Sequence, residues 1–87
     1  MDFEYDPVKS AANLRKHGIS FEDARRLWLD ENRVVVGARS ETEPREAIIA
    51  RLSGTHWTAI YTVRGASIRI VSVRRSRDEE RQGYNKR

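Results

Sequence analysis

The sequence contains no cysteine and only two histidines, His17 and His56, among its 87 residues. Without cysteine the chain can form neither a disulfide framework nor a thiolate metal site. Two histidines that lie far apart in the sequence do not make a zinc site either. We therefore expect this protein to bind no metal and to use no cofactor.

Long apolar runs are also missing from the chain. No stretch approaches the roughly 20 apolar residues that a membrane-spanning helix needs. The first residues, Met1 to Glu4, are acidic and lack the apolar segment of a signal peptide. Only 38% of the residues are hydrophobic and 34% are charged, so the core must be small. These features predict a single domain over residues 1–87, no membrane association and a location in the cytoplasm.

Acidic residues are scarce in the second half of the chain. Residues 1–44 hold 7 basic and 9 acidic residues, whereas residues 45–87 hold 10 basic and only 4 acidic residues. An uneven distribution with a net charge of +4 indicates an anionic partner, with nucleic acid as the first choice. The alternative interpretation is a basic surface that is simply solvated.

Two helices are predicted in the first third of the sequence. A short strand over residues 2–5 comes first, and Asp6 then caps a helix in which Pro7 takes the first position. This helix should end near His17, because Gly18 is a suitable residue to follow a helix end. Ser20 opens the second helix, which should continue to about residues 30–32.

The rest of the chain has the alternating pattern of strands. We predict strands over residues 33–38, 45–52, 57–63 and 67–73, with turns at Ser53-Gly54 and Arg64-Gly65. Strands joined by such short turns must run antiparallel. The predicted fold class is therefore α+β: two N-terminal helices packed on an antiparallel sheet of about four to five strands.

The C-terminal segment is predicted to be a short polar helix. Ser76 and Glu79 have the spacing of a capping box, but Tyr84 is the only sizeable apolar side chain that follows. Gly83 should weaken this helix by about 1 kcal/mol relative to alanine. A helix that buries so little is marginal. We therefore expect a loosely held helix that either brings Glu80 and Tyr84 near Arg69 and Arg74 or can be displaced by a partner.

Arginines gather in the final hairpin of the predicted sheet. Arg69, Arg74 and Arg75 lie on or after the last strand, and Arg64 lies at the preceding turn. An arginine within an apolar strand has a packed stem and an aimed guanidinium, and guanidinium groups bind phosphate oxygens through two hydrogen bonds. The alternative is that each arginine forms a structural salt bridge, for example with Glu4, Glu46 or the acids of the last helix.

RNA cleavage is a chemistry that such residues could perform without a metal. The ribose 2′-hydroxyl is an internal nucleophile, so the protein must position it, move a proton and stabilise charge on the phosphoryl oxygens. Arginines suit the last task. The candidates for proton transfer are His17, His56, Tyr84 and Glu80.

Three blocks of the sequence resemble one protein family. They are FEYDPVKSAANLRKHGISFEDA (residues 3–24), HWTAIYTVRG (56–65) and IRIVSVRRSRDEE (68–80), followed by Tyr84. In this order they resemble the BrnT toxins of type II toxin–antitoxin systems, whose fold is similar to that of RelE-like ribonucleases. The resemblance implies a ribonuclease that blocks translation. It also implies a ribbon-helix-helix antitoxin of the BrnA type, through which alone operator DNA would be contacted.

The resemblance and the chemistry together define the predicted site. The predicted catalytic residues are Arg64, Arg69, Arg74, Glu80, Tyr84 and His17. The predicted RNA-binding residues are Lys9, Lys16, Arg45, Arg75 and Arg77. The alternative function is a nucleic-acid-binding or co-repressor module that holds RNA or a DNA-binding partner without cleaving anything.

Overall fold

The computed structural model describes residues 1–86, which form five strands, three α-helices and one 3-10 helix. The order along the chain is β1 (Asp2–Glu4), α1 (Pro7–His17), α2 (Phe21–Ala24), the 3-10 helix (Arg25–Leu29), β2 (Val34–Ala38), β3 (Arg45–Leu52), β4 (Thr55–Arg64), β5 (Ser67–Arg75) and α3 (Asp78–Asn85). The α+β class that the sequence predicts is confirmed.

The five strands lie in the order β1-β5-β4-β3-β2. Strands β2 to β5 are antiparallel neighbours, whereas β1 runs parallel to β5. The sheet is therefore mixed, and the prediction of an antiparallel sheet was wrong for this one strand. No short turn connects β1 to its neighbour, so local sequence could not set its direction. In the structure Phe3 lies beside Ile68, and the centre of its ring is 5.1 Å from that of Trp28, so β1 is held on β5 by long-range packing.

Helix α1 begins and ends as its sequence predicts. The Asp6 carboxylate accepts the N–H of Val8 at 2.8 Å, and Gly18 takes the left-handed conformation with its N–H on the carbonyl of Leu14. Asn13, on the same helix, is buried. Its side-chain amide donates to the carbonyl of Ile19 and its oxygen accepts the N–H of Val73, so this residue fastens α1 to β5.

The second predicted helix is only partly α-helical. Ser20 caps α2 by accepting the N–H of Asp23 at 3.0 Å, but the α-helix ends at Ala24 and a 3-10 helix continues to Leu29. This tighter segment buries Leu27 completely and places Trp28 edge-to-face with Tyr61, while Leu29 is exposed. Helix type here follows the demands of packing on the sheet, which the spacing of apolar residues does not reveal.

One face of the sheet carries the hydrophobic core. Buried side chains of β3, β4 and β5 pack there with those of the helical segment; the cluster comprises Ile19, Phe21, Ala24, Leu27, Ile48, Ala50, Trp57, Ala59, Tyr61, Ile68, Ile70 and Val73. Alternation along each strand sends the intervening side chains to the opposite side, which we call the open face. Helix α3 lies across one end of that open face.

The start of α3 differs by one residue from the sequence prediction. Arg77, not Ser76, is the residue before the helix, and its N–H donates to Glu80 rather than Glu79, at 2.7 Å. Ser76 is buried and its hydroxyl shares a 2.8 Å hydrogen bond with the hydroxyl of Thr58. Ser76 is therefore held by buried Thr58 of β4, and Arg77 is the residue that precedes the helix.

Candidate functional site

The open face brings four of the predicted arginines onto one surface. Arg45 lies on β3, Arg64 on β4, and Arg69 and Arg74 on β5. Strand pairing sets Arg69 opposite Thr62 and Arg74 opposite Thr58. The adjacent Arg45 and Glu46 of β3 run alongside Thr62 and Tyr61 of β4. Three neighbouring strands therefore present guanidinium groups on the same side of the sheet.

Arg74 is held tightly at the end of the open face that α3 covers. Its two terminal nitrogens donate to the two carboxylate oxygens of Glu80 at 2.8 and 3.0 Å. Thr58 donates its hydroxyl to the same carboxylate at 3.1 Å, and the N–H of Arg77 adds a fourth hydrogen bond. We call Arg74, Glu80, Thr58 and Ser76 the clamp, since together they fasten the first turn of α3 to β4 and β5.

The clamp keeps Glu80 ionised. Burial by itself would raise the pKa of this carboxyl, but the hydrogen bonds from Arg74 and Arg77 and the Arg74 charge outweigh burial and lower the pKa to about 2. The same pairing raises the pKa of Arg74 above its usual value. A carboxylate with so low a pKa is a weak base and is not protonated near neutral pH, so its geometry fits the positioning of α3 better than proton transfer.

The other open-face arginines are held more loosely. Arg69 approaches Glu4 at 3.6 Å and Arg64 approaches Glu43 at 3.8 Å, and in both pairs each side chain is about one third to one half exposed. Such ion pairs contribute little to stability. Arg45 forms no salt bridge with any described residue, and its buried Nε has no hydrogen-bond partner within residues 1–86. We call Arg45, Arg64 and Arg69 the outer arginines.

Tyr84 lies at the far end of α3, away from the arginines that the sequence places beside it. Its hydroxyl donates to Oδ2 of Asp30 at 2.7 Å, and its ring packs edge-to-face on His56, 4.9 Å away. Tyr84 is buried. The expectation of a loosely held helix is therefore wrong for this structure: α3 is fastened at its first turn by Glu80 and at its last turn by Tyr84.

Asp30 is a residue that sequence reasoning missed. Besides Tyr84, its carboxylate accepts the N–H groups of Arg51 and Asn32 at 2.8 and 2.9 Å. Burial acts to raise the pKa of Asp30, but these hydrogen bonds prevail and hold it below its usual value. The sequence carries no signal for this role, because the three donors come from β3, α3 and the turn after the 3-10 helix.

The polar residues of α1 form a separate group beside β5. Lys9, Lys16 and His17 line a recess of about 240 Å³ together with Val71 and Ser72. Val71 is the extra residue of an irregularity in the pairing of β4 with β5. Ser72 follows it and lies opposite Ile60 on the open face. The recess therefore adjoins the strand segment between Arg69 and Arg74.

Two of the predicted RNA-binding residues lie elsewhere. Arg75 is opposite Trp57 on the core side of the sheet, with its guanidinium carbon 5.8 Å from the centre of that ring. Arg77 is exposed at the start of α3. Arg75 does not join the outer arginines, because alternation along β5 places it on the face opposite Arg74. Arg77 lies beyond the end of β5.

Two features of residues 1–86 concern metal binding and membrane insertion. No group of three or more histidines and carboxylates in this part of the chain could hold a metal ion. None of the helices formed by these residues is long and apolar enough to cross a membrane.

Comparison with known proteins identifies a family that this chain matches. Residues 5–80 match the family model described as "ribonuclease toxin, BrnT, of type II toxin–antitoxin system". The matched range includes α1, the whole sheet except β1, and Glu80 of the clamp, while Tyr84 lies beyond it. No curated protein matches the chain at a significant level.

Proposed function

The chain belongs to the BrnT family of ribonuclease toxins of type II toxin–antitoxin systems, and from this premise we propose that it is an endoribonuclease whose site is the open face. The observation that carries the proposal is the contrast on that face between one clamped arginine and three outer arginines. Arg45 in particular has a buried Nε without an acceptor. No carboxylate within residues 1–86 forms a salt bridge with Arg45, so its guanidinium can bind a phosphate without breaking an ion pair.

The reaction that suits this site is transesterification within the RNA strand. The ribose 2′-oxygen attacks the adjacent phosphorus and loses its proton, and the bond to the 5′-oxygen of the next nucleotide breaks as that oxygen gains a proton. The products are a 2′,3′-cyclic phosphate and a free 5′-hydroxyl. Fixed cations that face the phosphoryl oxygens stabilise the charge that builds up there.

We assign the phosphate to Arg45, Arg64 and Arg69. The ion pairs of Arg64 with Glu43 and of Arg69 with Glu4 are long and partly exposed, so a phosphate can replace those carboxylates at little cost. Arg74 acts as a positioning residue, because both of its terminal nitrogens already bind Glu80. Glu80 and Tyr84 act in the same way, by holding α3 over the end of the face.

We assign proton transfer to His17 and the path of the RNA backbone to Lys9 and Lys16. These three residues line the recess beside Ser72, and Ser72 lies between Arg69 and Arg74 on β5. An imidazole can take the proton from one oxygen and return it to another. The lysines add positive charge but do not recognise particular bases, which suits contacts to successive phosphates of the RNA backbone.

The cellular role follows from the family. We propose that the chain slows growth by cleaving RNA needed for translation, within the cytoplasm. A partner antitoxin of the BrnA type would neutralise it, and operator DNA would be bound only through that antitoxin. The fold would then be a variant of the RelE-like ribonuclease architecture.

The test is RNA cleavage by the purified protein with end-group analysis of the fragments. We expect cleavage in the presence of a chelator, fragments that end in 2′,3′-cyclic phosphate, and at least a 100-fold loss of rate in Arg45→Ala and His17→Ala. Arg15→Ala is the matched control, since Arg15 is an exposed arginine of α1 away from the open face. Equal rates in the wild type and in Arg45→Ala would overturn the assignment of the site.

The alternative of a non-catalytic binding module makes a different prediction. The same basic surface would then bind RNA with strong salt dependence and leave it intact after prolonged incubation. Cleavage that survives repurification but disappears in the arginine variants excludes this alternative. Intact RNA bound by the wild type would support it.

A further inference from the structure

The two edges of the sheet are protected very differently. At one edge β1 is only three residues long and carries Asp2 and Glu4. Beyond β1, Asn13 accepts the N–H of Val73 and so occupies part of the remaining edge of β5. Short strands, charges and covering side chains are the usual means by which proteins prevent an edge from pairing with another chain.

Strand β2, at the opposite edge, carries no charged residue within its own length. Strand β2 pairs through all five of its residues with β3, and no strand within residues 1–86 pairs with its outer side. Val35 and Val36 are each 46% exposed. The strand contains neither proline nor lysine, and no bulge interrupts its pairing with β3. Its backbone is therefore available to a further strand.

We propose that the outer edge of β2 is a docking site for an extended segment of the antitoxin, apolar at alternate positions and acidic at its two ends. The proposal rests on the proposed function, since it takes the partner of this type II toxin to be a protein. Arg33 and Arg39 flank β2 and are exposed. An antiparallel strand along residues 33–39 would place its first and last residues opposite these two arginines, where glutamates would be favoured.

A second copy of the chain fits this edge poorly. In the symmetric antiparallel register that pairs all five residues of β2, Val36 faces Val36 of the other copy. Arg33 then faces Arg39 of the other copy at both ends of the pair. Like charges directly opposite each other destabilise a strand pair, so the flanking arginines oppose self-association and favour an acidic partner.

The probe for this proposal is a pair of synthetic peptides as long as residues 33–39, acetylated and amidated at their ends. One has the sequence Glu-Val-Thr-Val-Thr-Val-Glu, and the other has lysine at both ends. Binding is followed by NMR on the isotope-labelled protein, through the shifts and hydrogen exchange of the backbone amides. No RNA is present, so the result does not depend on ribonuclease activity.

We expect the glutamate peptide to shift and protect amides of Val34–Ala38 and to bind about tenfold more tightly than the lysine peptide. Arg39→Glu should abolish this preference, because each peptide then meets one like charge and one opposite charge. Arg15→Glu, with the same change in net charge at a site on α1, should leave it unchanged.

Several results would overturn the proposal. One is a shift confined to the open face, another is the absence of any shift, and a third is an equal loss of glutamate-peptide binding in Arg15→Glu and Arg39→Glu. Concentration-dependent shifts of the β2 amides without peptide would instead show that a second copy occupies the edge. If the protein cleaves RNA but does not bind the peptide at β2, this proposal fails and the proposed function stands. If it binds the peptide at β2 but does not cleave RNA, the proposed function fails and this proposal stands.

Discussion

Arg74 and Arg69 lie five positions apart on the same strand, yet the structure holds them in opposite ways. Arg74 forms a bidentate pair with Glu80 in which the two side chains are 26% and 19% exposed, whereas Arg69 meets Glu4 at 3.6 Å with both side chains more exposed. Both were predicted to bind phosphate. The difference teaches that a cluster of arginines on one strand can divide into a structural part and an available part, according to what covers each end.

The largest expected effect concerns the outer arginines. We predict that Arg69→Ala lowers the rate of RNA cleavage by about 100-fold, the effect of removing one preorganised cationic donor from a site where charge develops. The free energy of unfolding should change by less than about 0.5 kcal/mol, because the pair with Glu4 is exposed. Single-turnover cleavage and urea unfolding of the same preparations check both parts. If Arg69→Ala lost much stability but kept full cleavage activity, Arg69 would be a structural residue like Arg74.

The clamp should behave in the opposite way. We predict that Glu80→Gln lowers the free energy of unfolding by about 2 kcal/mol, since it leaves the partly buried guanidinium of Arg74 without its charged partner. The matched control is Glu4→Gln, which removes the exposed carboxylate that faces Arg69 and should cost under about 0.5 kcal/mol. Urea unfolding with a constant m-value measures both. Equal losses of unfolding free energy in Glu80→Gln and Glu4→Gln would mean that Arg74 is held no more tightly than Arg69.

The pH dependence of stability tests the same clamp without changing its shape. The pKa of Glu80 is lowered from 4.5 to about 2, so the folded state binds this proton less readily than the unfolded state. The stabilisation is present above the unfolded pKa and is lost as the pH falls from about 5 to about 2. We expect this group to contribute about 3 kcal/mol to that loss, because each unit of pKa difference corresponds to about 1.4 kcal/mol. The total loss of stability over this pH range should be smaller by that amount in Glu80→Gln, whereas an unchanged loss would show that Glu80 is not the group that titrates.

The smallest expected effect is at Gly83 of α3. A methyl group at this position would meet no atom within 4 Å, and its backbone does not take a positive φ. Gly83→Ala should therefore raise the free energy of unfolding by about 0.5–1 kcal/mol. If the α3 amides exchange through local opening of the helix, their hydrogen exchange should slow by the factor that corresponds to this gain in stability. If Gly83→Ala lowered the free energy of unfolding, the space around Gly83 would be smaller than the structure shows.

Local sequence signals predicted much of this fold because their physical causes are themselves local. Asp6 and Gly18 delimit α1, and Ser53-Gly54 and Arg64-Gly65 set two antiparallel turns. The same reasoning failed where a distant partner competes. Thr58 binds Ser76 and so shifts the start of α3 by one residue.

The candidate site was less predictable than the fold. Its residue types and their place on the last strand followed from the sequence, as did the neighbourhood of Arg74 and Glu80. The separation of Tyr84 from the outer arginines did not follow, nor did the part played by Asp30. Tyr84 and Asp30 are joined by a hydrogen bond across 54 positions of the chain, and no spacing rule reaches so far.

The sequence by itself determined which segments are strands and helices, the alternation that separates the core from the open face, and the excess of arginines on the last hairpin. These features depend on backbone preferences and side-chain periodicity within a few residues. Only the tertiary structure decided the parallel direction of β1, the exposed outer edge of β2, and which arginine is clamped. Each of those depends on which groups meet across the fold, where burial and hydrogen bonding outweigh local preference.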